Sequence, residues 1–148
     1  MPANTLTASP LQLKQMFFAR VHFEAENNEK FPDGVWAPEF DFSGVQFGHH
    51  IEVTPAQKLE NNRFQYVIAV VFQVFNEDDK AKPCPYILDI EARALFEMNA
   101  MDDEEKRDNL ARVNGASMVI GAIREQVSLL TSRSIYGPLT LPTLKVGV

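Results

Sequence analysis

The stretch RFQYVIAVVFQVF, residues 63–75, carries apolar side chains on both of its alternating faces. In an extended chain Phe64, Tyr66, Ile68, Val70, Phe72 and Val74 point one way, and Val67, Ala69, Val71 and Phe75 the other. A strand with one wet face alternates apolar and polar residues, so this one needs cover on both sides. The remaining sequence must build a core over one face and leave the other to a partner. At 148 residues the chain is long enough for one such core without disulfide staples.

Three more segments read as strands. LQLKQMFFARVHFEA, starting at Leu11, alternates with Leu11, Leu13, Phe17, Ala19, Val21, Phe23 and Ala25 in phase; Gln15, Met16 and Phe18 break the pattern. ENNEKFPDG then reads as an irregular connection. A second extended piece is predicted from about Glu39 to Val53, with a bulge near Ser43 and Gly44 because Phe40 and Phe42 fall out of phase. After the two-faced strand, NEDDKAKP forms a charged connection, and YILDIEARALFEM alternates as the last strand. Links of turn length predict an antiparallel meander, since parallel crossovers need a dozen or more residues.

The pattern changes near Asp102. Acidic residues followed by bases mark a helix start in MDDEEKRDNLARV, and Gly115 is expected to interrupt the helix. ASMVIGAIREQVSLLTSR continues at helical spacing, with Met118, Ala122, Ile123, Val127 and Leu130 as its apolar stripe and Val119 and Ile120 widening it. Strands first and helix last predict an α+β domain over residues 11–148, preceded by a flexible tail over 1–10. One helix covers one sheet face. The surplus apolar width of strand and helix predicts an oligomeric binding protein.

Composition narrows the function classes. The net charge of -6 disfavours nucleic acid and anionic lipid, and no apolar run is long enough to insert in a membrane. MPANTLTASP lacks a basic-plus-apolar leader pattern, and the single Cys84 suits a reducing, cytoplasmic setting. His49 and His50 are adjacent on a strand and so point to opposite faces, unable to chelate one ion. Cys84 sits between Pro83 and Pro85 with no His placed beside it by spacing. GASMVIG lacks the Gly-Lys-Ser/Thr ending of a phosphate loop, and NEDDK and DDEE miss the calcium-loop register. The expectation is a protein without metal, cofactor or catalysis.

Three short motifs in order carry a resemblance. VHFEA (21–25), WAPE (36–39) and IREQVSLLTSRSIYGPLTLPTL, starting at Ile123, resemble corresponding segments of the SecB family of protein-export chaperones. The resemblance implies a SecB-like fold assembled as a homotetramer, a dimer of dimers with its helices between two sheets. It implies ATP-independent binding of unfolded or precursor polypeptides and their delivery to the motor SecA. It places clients at Trp36 and Phe40, with Phe31 beside them, and a SecA-type face at Glu24 and Asp89, with Ile87 adjacent. Arg20 departs from that face, a base standing where an acid is expected. Combined with the two-faced strand, the same likeness turns Val67, Ala69, Val71 and Phe75 outward, toward a client or partner. Family members continue into a further helix where this sequence reads LKVGV, so the client groove is expected to lack that wall. Two other roles fit such a chain: a dedicated chaperone of a toxin–antitoxin pair, or a structural or regulatory oligomer that keeps only the fold.

Overall fold

The two-faced stretch lies at the heart of one antiparallel sheet. A computed structural model describes residues 5–99 and 103–146; the expected helix-start position near Asp102, and residues 1–4 of the expected tail, lie outside these. Residues 5–10 are exposed and irregular. The strands are β1 (Leu11–Ala25), β2 (Gly48–Val53), β3 (Gln57–Lys58), β4 (Arg63–Val74) and β5 (Tyr86–Asn99). Their order is β1-β5-β4-β2, with β3 also paired to β4.

The antiparallel sheet and late helix are as the sequence predicts, and the meander holds for β2, β4 and β5. β1 is the exception: it lies against β5, with Leu11 opposite Met98 and Ala25 opposite Tyr86. The reason is residues 26–47, too long for a hairpin and rich in aromatic residues that reach the core, so they cross the sheet instead. The result is a Greek key. The second predicted strand is correspondingly shorter, beginning at Gly48 and not near Glu39. Ala37–Glu39 forms a 3-10 turn, and Gly44, at φ +90°, sits in a turn where a bulge was expected. Phe40, Phe42, Val45 and Phe47 still pack on the core from this irregular segment.

Face assignment follows the pleat. Tyr66, Ile68, Val70, Phe72 and Val74 of β4 are buried beneath the helix, as are Tyr86, Leu88, Ile90, Ala92, Phe96 and Met98 of β5. Val67, Ala69 and Val71 are half-buried on the opposite face. In β1, register shifts between Leu13 and Gln15 and between Phe18 and Arg20 break the alternation. Met16 and Phe18 thereby share the inner face with Ala94 and Ala92, while Phe17 turns to the outer face opposite Arg93. Much of this strand is more exposed than the half-buried pattern predicts.

The helical segment starts as α1 (Glu104–Leu110), where the Asp103 side chain accepts from Lys106 N at 3.2 Å, and ends as α2 (Ala116–Thr131). Gly115 does not interrupt it. Residues Ala111–Gly115 form a π-helical turn that joins the two halves, and a Cβ on Gly115 would lie 2.3 Å from Ile68 Cδ1. The glycine is a point of close approach between helix and sheet. The sheet-facing stripe is Ala116, Val119, Ile123, Val127 and Thr131, while Met118 and Leu129 stay exposed. A Cβ on Gly121 would meet nothing within the subunit.

Past α2, three distant segments are tied together. Tyr136 OH donates to Glu26 O at 2.6 Å, Tyr86 OH donates to Gly137 O at 2.7 Å, and Tyr136 N donates to Tyr86 OH at 3.1 Å. Residues 138–146 then run as an extended strap along α2, burying Leu139, Leu141 and Val146.

Candidate functional site

The 26–47 crossover presents an aromatic pocket at the surface. Phe31, Val35, Trp36 and Phe40 line a recess of about 510 Å3, closed by Lys82 and Pro83 from the connection before β5. Ala37 N donates to Tyr136 O at 2.8 Å, which pins the segment to the exit of α2. Trp36 lies over Gly137, at φ +84°, where a Cβ would stand 2.8 Å from the indole ring. Glycine is therefore required there twice, by backbone and by space. Trp36 is held in place yet 55% exposed. Phe31 meets Tyr136 edge-on at 5.6 Å, and Phe40 meets Phe42 at 5.0 Å, so each half-buried ring has one covered side. Lys82 Nζ stands 4.5 Å over the Phe40 ring and donates to Asp41 O.

Trp36, Phe40 and Phe31 thus share one pocket, as expected for a single site. Val67, Val71 and Phe75 do not join them. The two valines belong to the outer sheet face, opposite Leu95 and Glu91, and Phe75 stands just beyond β4 beside the connection to β5. Val35, Lys82 and Pro83 escaped the sequence reading, because only the fold brings 82–83 against the crossover.

The outer face also gathers Glu24, Ile87 and Asp89. Glu24 is opposite Ile87, and Asp89 is opposite His22 one pleat along. Glu24 is exposed, 3.7 Å from His22 Nε2. Asp89 is engaged: Arg20 donates from Nε to Oδ2 at 3.0 Å and from Nη2 to Oδ1 at 2.8 Å, and Gln73 Nε2 donates to Oδ1 at 2.9 Å. The Arg20 fork, against some burial, holds the Asp89 carboxyl below its ordinary range. Arg20 also approaches Glu91, which Arg93 bonds from the other side. The acids of this face are largely matched by its own bases.

A second recess lies at the opposite edge of the core. Phe47, Ile51, Phe72 and Ile120 line an apolar groove of about 330 Å3, bordered by Leu144 and Val146 of the strap. Its trace in the sequence was Ile120, which widens the apolar stripe of the helix beyond one face.

The polar groups of the core hold shape. Tyr66 OH donates to Asp108 Oδ1 at 2.6 Å and accepts from Arg107 Nε at 3.0 Å, and the guanidinium of Arg107 lies 3.8 Å over Phe64. Burial, then the Asp108 bond, pushes the Tyr66 hydroxyl up to about 12, so it stays protonated. Cys84 is fully buried, and burial pushes its thiol up to about 11, far from nucleophile chemistry. His49 and His50 point to opposite faces, opposite Phe72 and Val71. Among the described residues no helix is long and apolar enough to cross a membrane.

No protein-family model matches the sequence, and a search of curated proteins finds no match. Solved structures do match. A SecB-like chaperone of Mycobacterium tuberculosis, in complex with a ChAD peptide from an antitoxin, is 23% identical, with a TM-score of 0.52 over 93% of both chains. A protein of unknown function from Streptococcus agalactiae is 15% identical, with a TM-score of 0.58 over 92% of this chain and 99% of that one. Across nearly its whole length, this α+β chain therefore has a SecB-like fold.

Proposed function

We propose that the protein is an ATP-independent holdase: it binds unfolded or precursor polypeptides on apolar surface and hands them on, without catalysis or cofactor. The observation that carries this reading is Trp36, an anchored indole 55% exposed above an aromatic recess. A large apolar side chain kept at the surface by backbone and glycine contacts is a binding feature, since folding alone favours covering it. Extended clients gain by burying alternate side chains there with little sequence demand. The net charge of -6 keeps such a surface soluble and attracts basic segments.

The working particle is a cytoplasmic homotetramer, a dimer of dimers. Two features support assembly. Among the described residues the outer edge of β1 pairs with no strand, and Met118 and Leu129 of α2 face outward beside the open space at Gly121. Unpaired edges and apolar stripes of this kind favour a second copy.

Between general export and a restricted clientele, the Arg20–Asp89 fork favours the restricted one. A motor that docks on a sheet-face acid has to displace a bidentate guanidinium first. A dedicated chaperone of one partner, such as the antitoxin of a toxin–antitoxin pair, suits this surface better than SecA delivery. A structural oligomer without clients leaves the exposed indole unexplained.

The test is direct. Denatured citrate synthase diluted into the protein without ATP should stay in solution, and the emission of the sole tryptophan should shift to the blue as clients cover it. Trp36→Ala should lose most of this protection with an unchanged circular dichroism spectrum. A monomer that leaves aggregation and emission unaltered defeats the reading. For the narrower role, Arg20→Ala should bind SecA more tightly than the wild type; tight SecA binding by the wild type itself would restore general export.

A further inference from the structure

The strap changes its mode of attachment at Pro142. Before it, side chains of α2 hold the backbone of Leu139 and Leu141. Leu139 N donates to Thr131 Oγ1 at 2.8 Å, and Ser128 Oγ donates to Leu139 O at 3.2 Å. Arg124 donates from Nε and Nη2 to Leu141 O at 3.2 and 3.0 Å. Beyond Leu141, among the described residues, no hydrogen bond involves positions 142–146. Burial alone holds this segment, with Leu144 packed at the core edge and Val146 buried.

Its seat is poorly filled. Leu144 and Val146 border the groove of Phe47, Ile51, Phe72 and Ile120, yet about 330 Å3 stays open beside them. The groove floor, Val70 and Phe72, is part of the rigid centre of the sheet, so it does not collapse around small side chains. A side chain larger than valine gains contacts in that space that the strap forgoes. The segment is extended and weakly held, with Leu144 and Val146 turned inward and Thr143 and Lys145 exposed, which is how an extended client would present alternate side chains.

We propose that residues 142–146 are a tethered internal competitor, seated where an extended client segment bearing an aromatic or long aliphatic side chain binds after displacing them about Pro142. This inference rests on the client-binding reading and adds to it a second site, remote from Trp36, with its own brake. The tether lowers apparent client affinity by the fraction of molecules whose groove is free. It also covers apolar surface between clients.

The probe is a short fluorescein-labelled peptide of alternating Phe and Ser, added to the full chain. The double variant Leu144→Ser, Val146→Ser weakens the competitor, and fluorescence anisotropy should report roughly tenfold tighter peptide binding than the wild type. Adding Ile120→Glu puts a charge in the groove and should abolish that gain. In the wild-type chain, which needs no variant to fold, the methyl NMR signals of Leu144 and Val146 should move to unfolded-chain positions as peptide saturates. Equal or weaker binding by a folded serine variant overturns the inference. Strap methyls that stay in place under saturating peptide overturn it as well. In either case, protection of citrate synthase by the wild type shows that the holdase reading survives. If neither form binds peptide and the wild type protects nothing, both fall.

Discussion

Strands β1 and β5 run side by side for most of their lengths, and both are rich in apolar residues, yet they end in different surroundings. Ile90 and Val21 are paired across the ladder and point to the same face. Ile90 is 0% exposed and Val21 is 40% exposed. The difference is position: α2 packs over β4 and β5, while β1 lies at the rim, where its register shifts also split its apolar residues between two faces. Hydrophobic alternation marks a strand as able to be buried; the neighbour above it decides whether it is. The rim strand leaves apolar surface exposed, and the central one buries its own beneath the helix.

The contrast can be broken by substitution. Ile90→Ala should cost about 2–5 kcal/mol in urea unfolding, since nothing can refill the space under the helix. A cost below the value for Val21→Ser would reverse the comparison. Gly115→Ala comes next. Its methyl meets Ile68 on the covered side, and overpacking of this kind costs about 1–3 kcal/mol; a neutral result would mean that the π-helical turn relaxes freely.

Glu26 tests the polar tie at the end of β1. Burial by itself raises its carboxyl, but bonds from Asn76 and Asn27 N, with Lys30 nearby, bring it below the ordinary range. Its folded value is depressed, so its contribution is present above the unfolded value, about 4.3. That contribution is lost as pH falls through the lower, folded value. Glu26→Ala should cost about 1–3 kcal/mol at neutral pH by orphaning its donors, and should flatten the acid limb of a melting profile; an unchanged limb argues against the tie. The smallest effect on folding belongs to Val21→Ser, within about 0.5 kcal/mol for a surface position. Its readout is mass in solution, which should shift to smaller species under the proposed assembly; an unaltered mass would mean that β1 is not an assembly surface.

Much of the fold was legible from residues. The limits of β1, β4 and β5 and the helical run follow from local periodicity, which each segment carries in itself. β4 is apolar on both faces, so which of them turns inward came from the family resemblance and not from its pattern. Strand order did not follow from periodicity, because it depends on where the 26–47 crossover lands, and turn chemistry around Pro38 and Gly44 outweighed the extended pattern there. The register shifts in β1 were visible only as misplaced Met16 and Phe18. At the candidate site, Trp36, Phe31 and Phe40 were named through the family resemblance carried by the WAPE segment, and they do share one pocket. Lys82 and Pro83 were missed because only the fold brings them against that segment. Arg20 stood out in the sequence as a misplaced base, but its two-pronged hold on Asp89 requires strands 69 residues apart to become neighbours.

The Greek key has a consequence for synthesis. β1 leaves the ribosome before the other strands, but β5, the one strand it pairs with among the described residues, begins roughly sixty residues later. At translation rates of roughly 5–20 residues per second, that leaves an unpaired apolar ribbon for roughly 3–12 s. The knot from Glu26 to Tyr136 closes later still. A nascent chain of this design passes through the condition it is proposed to guard against in others.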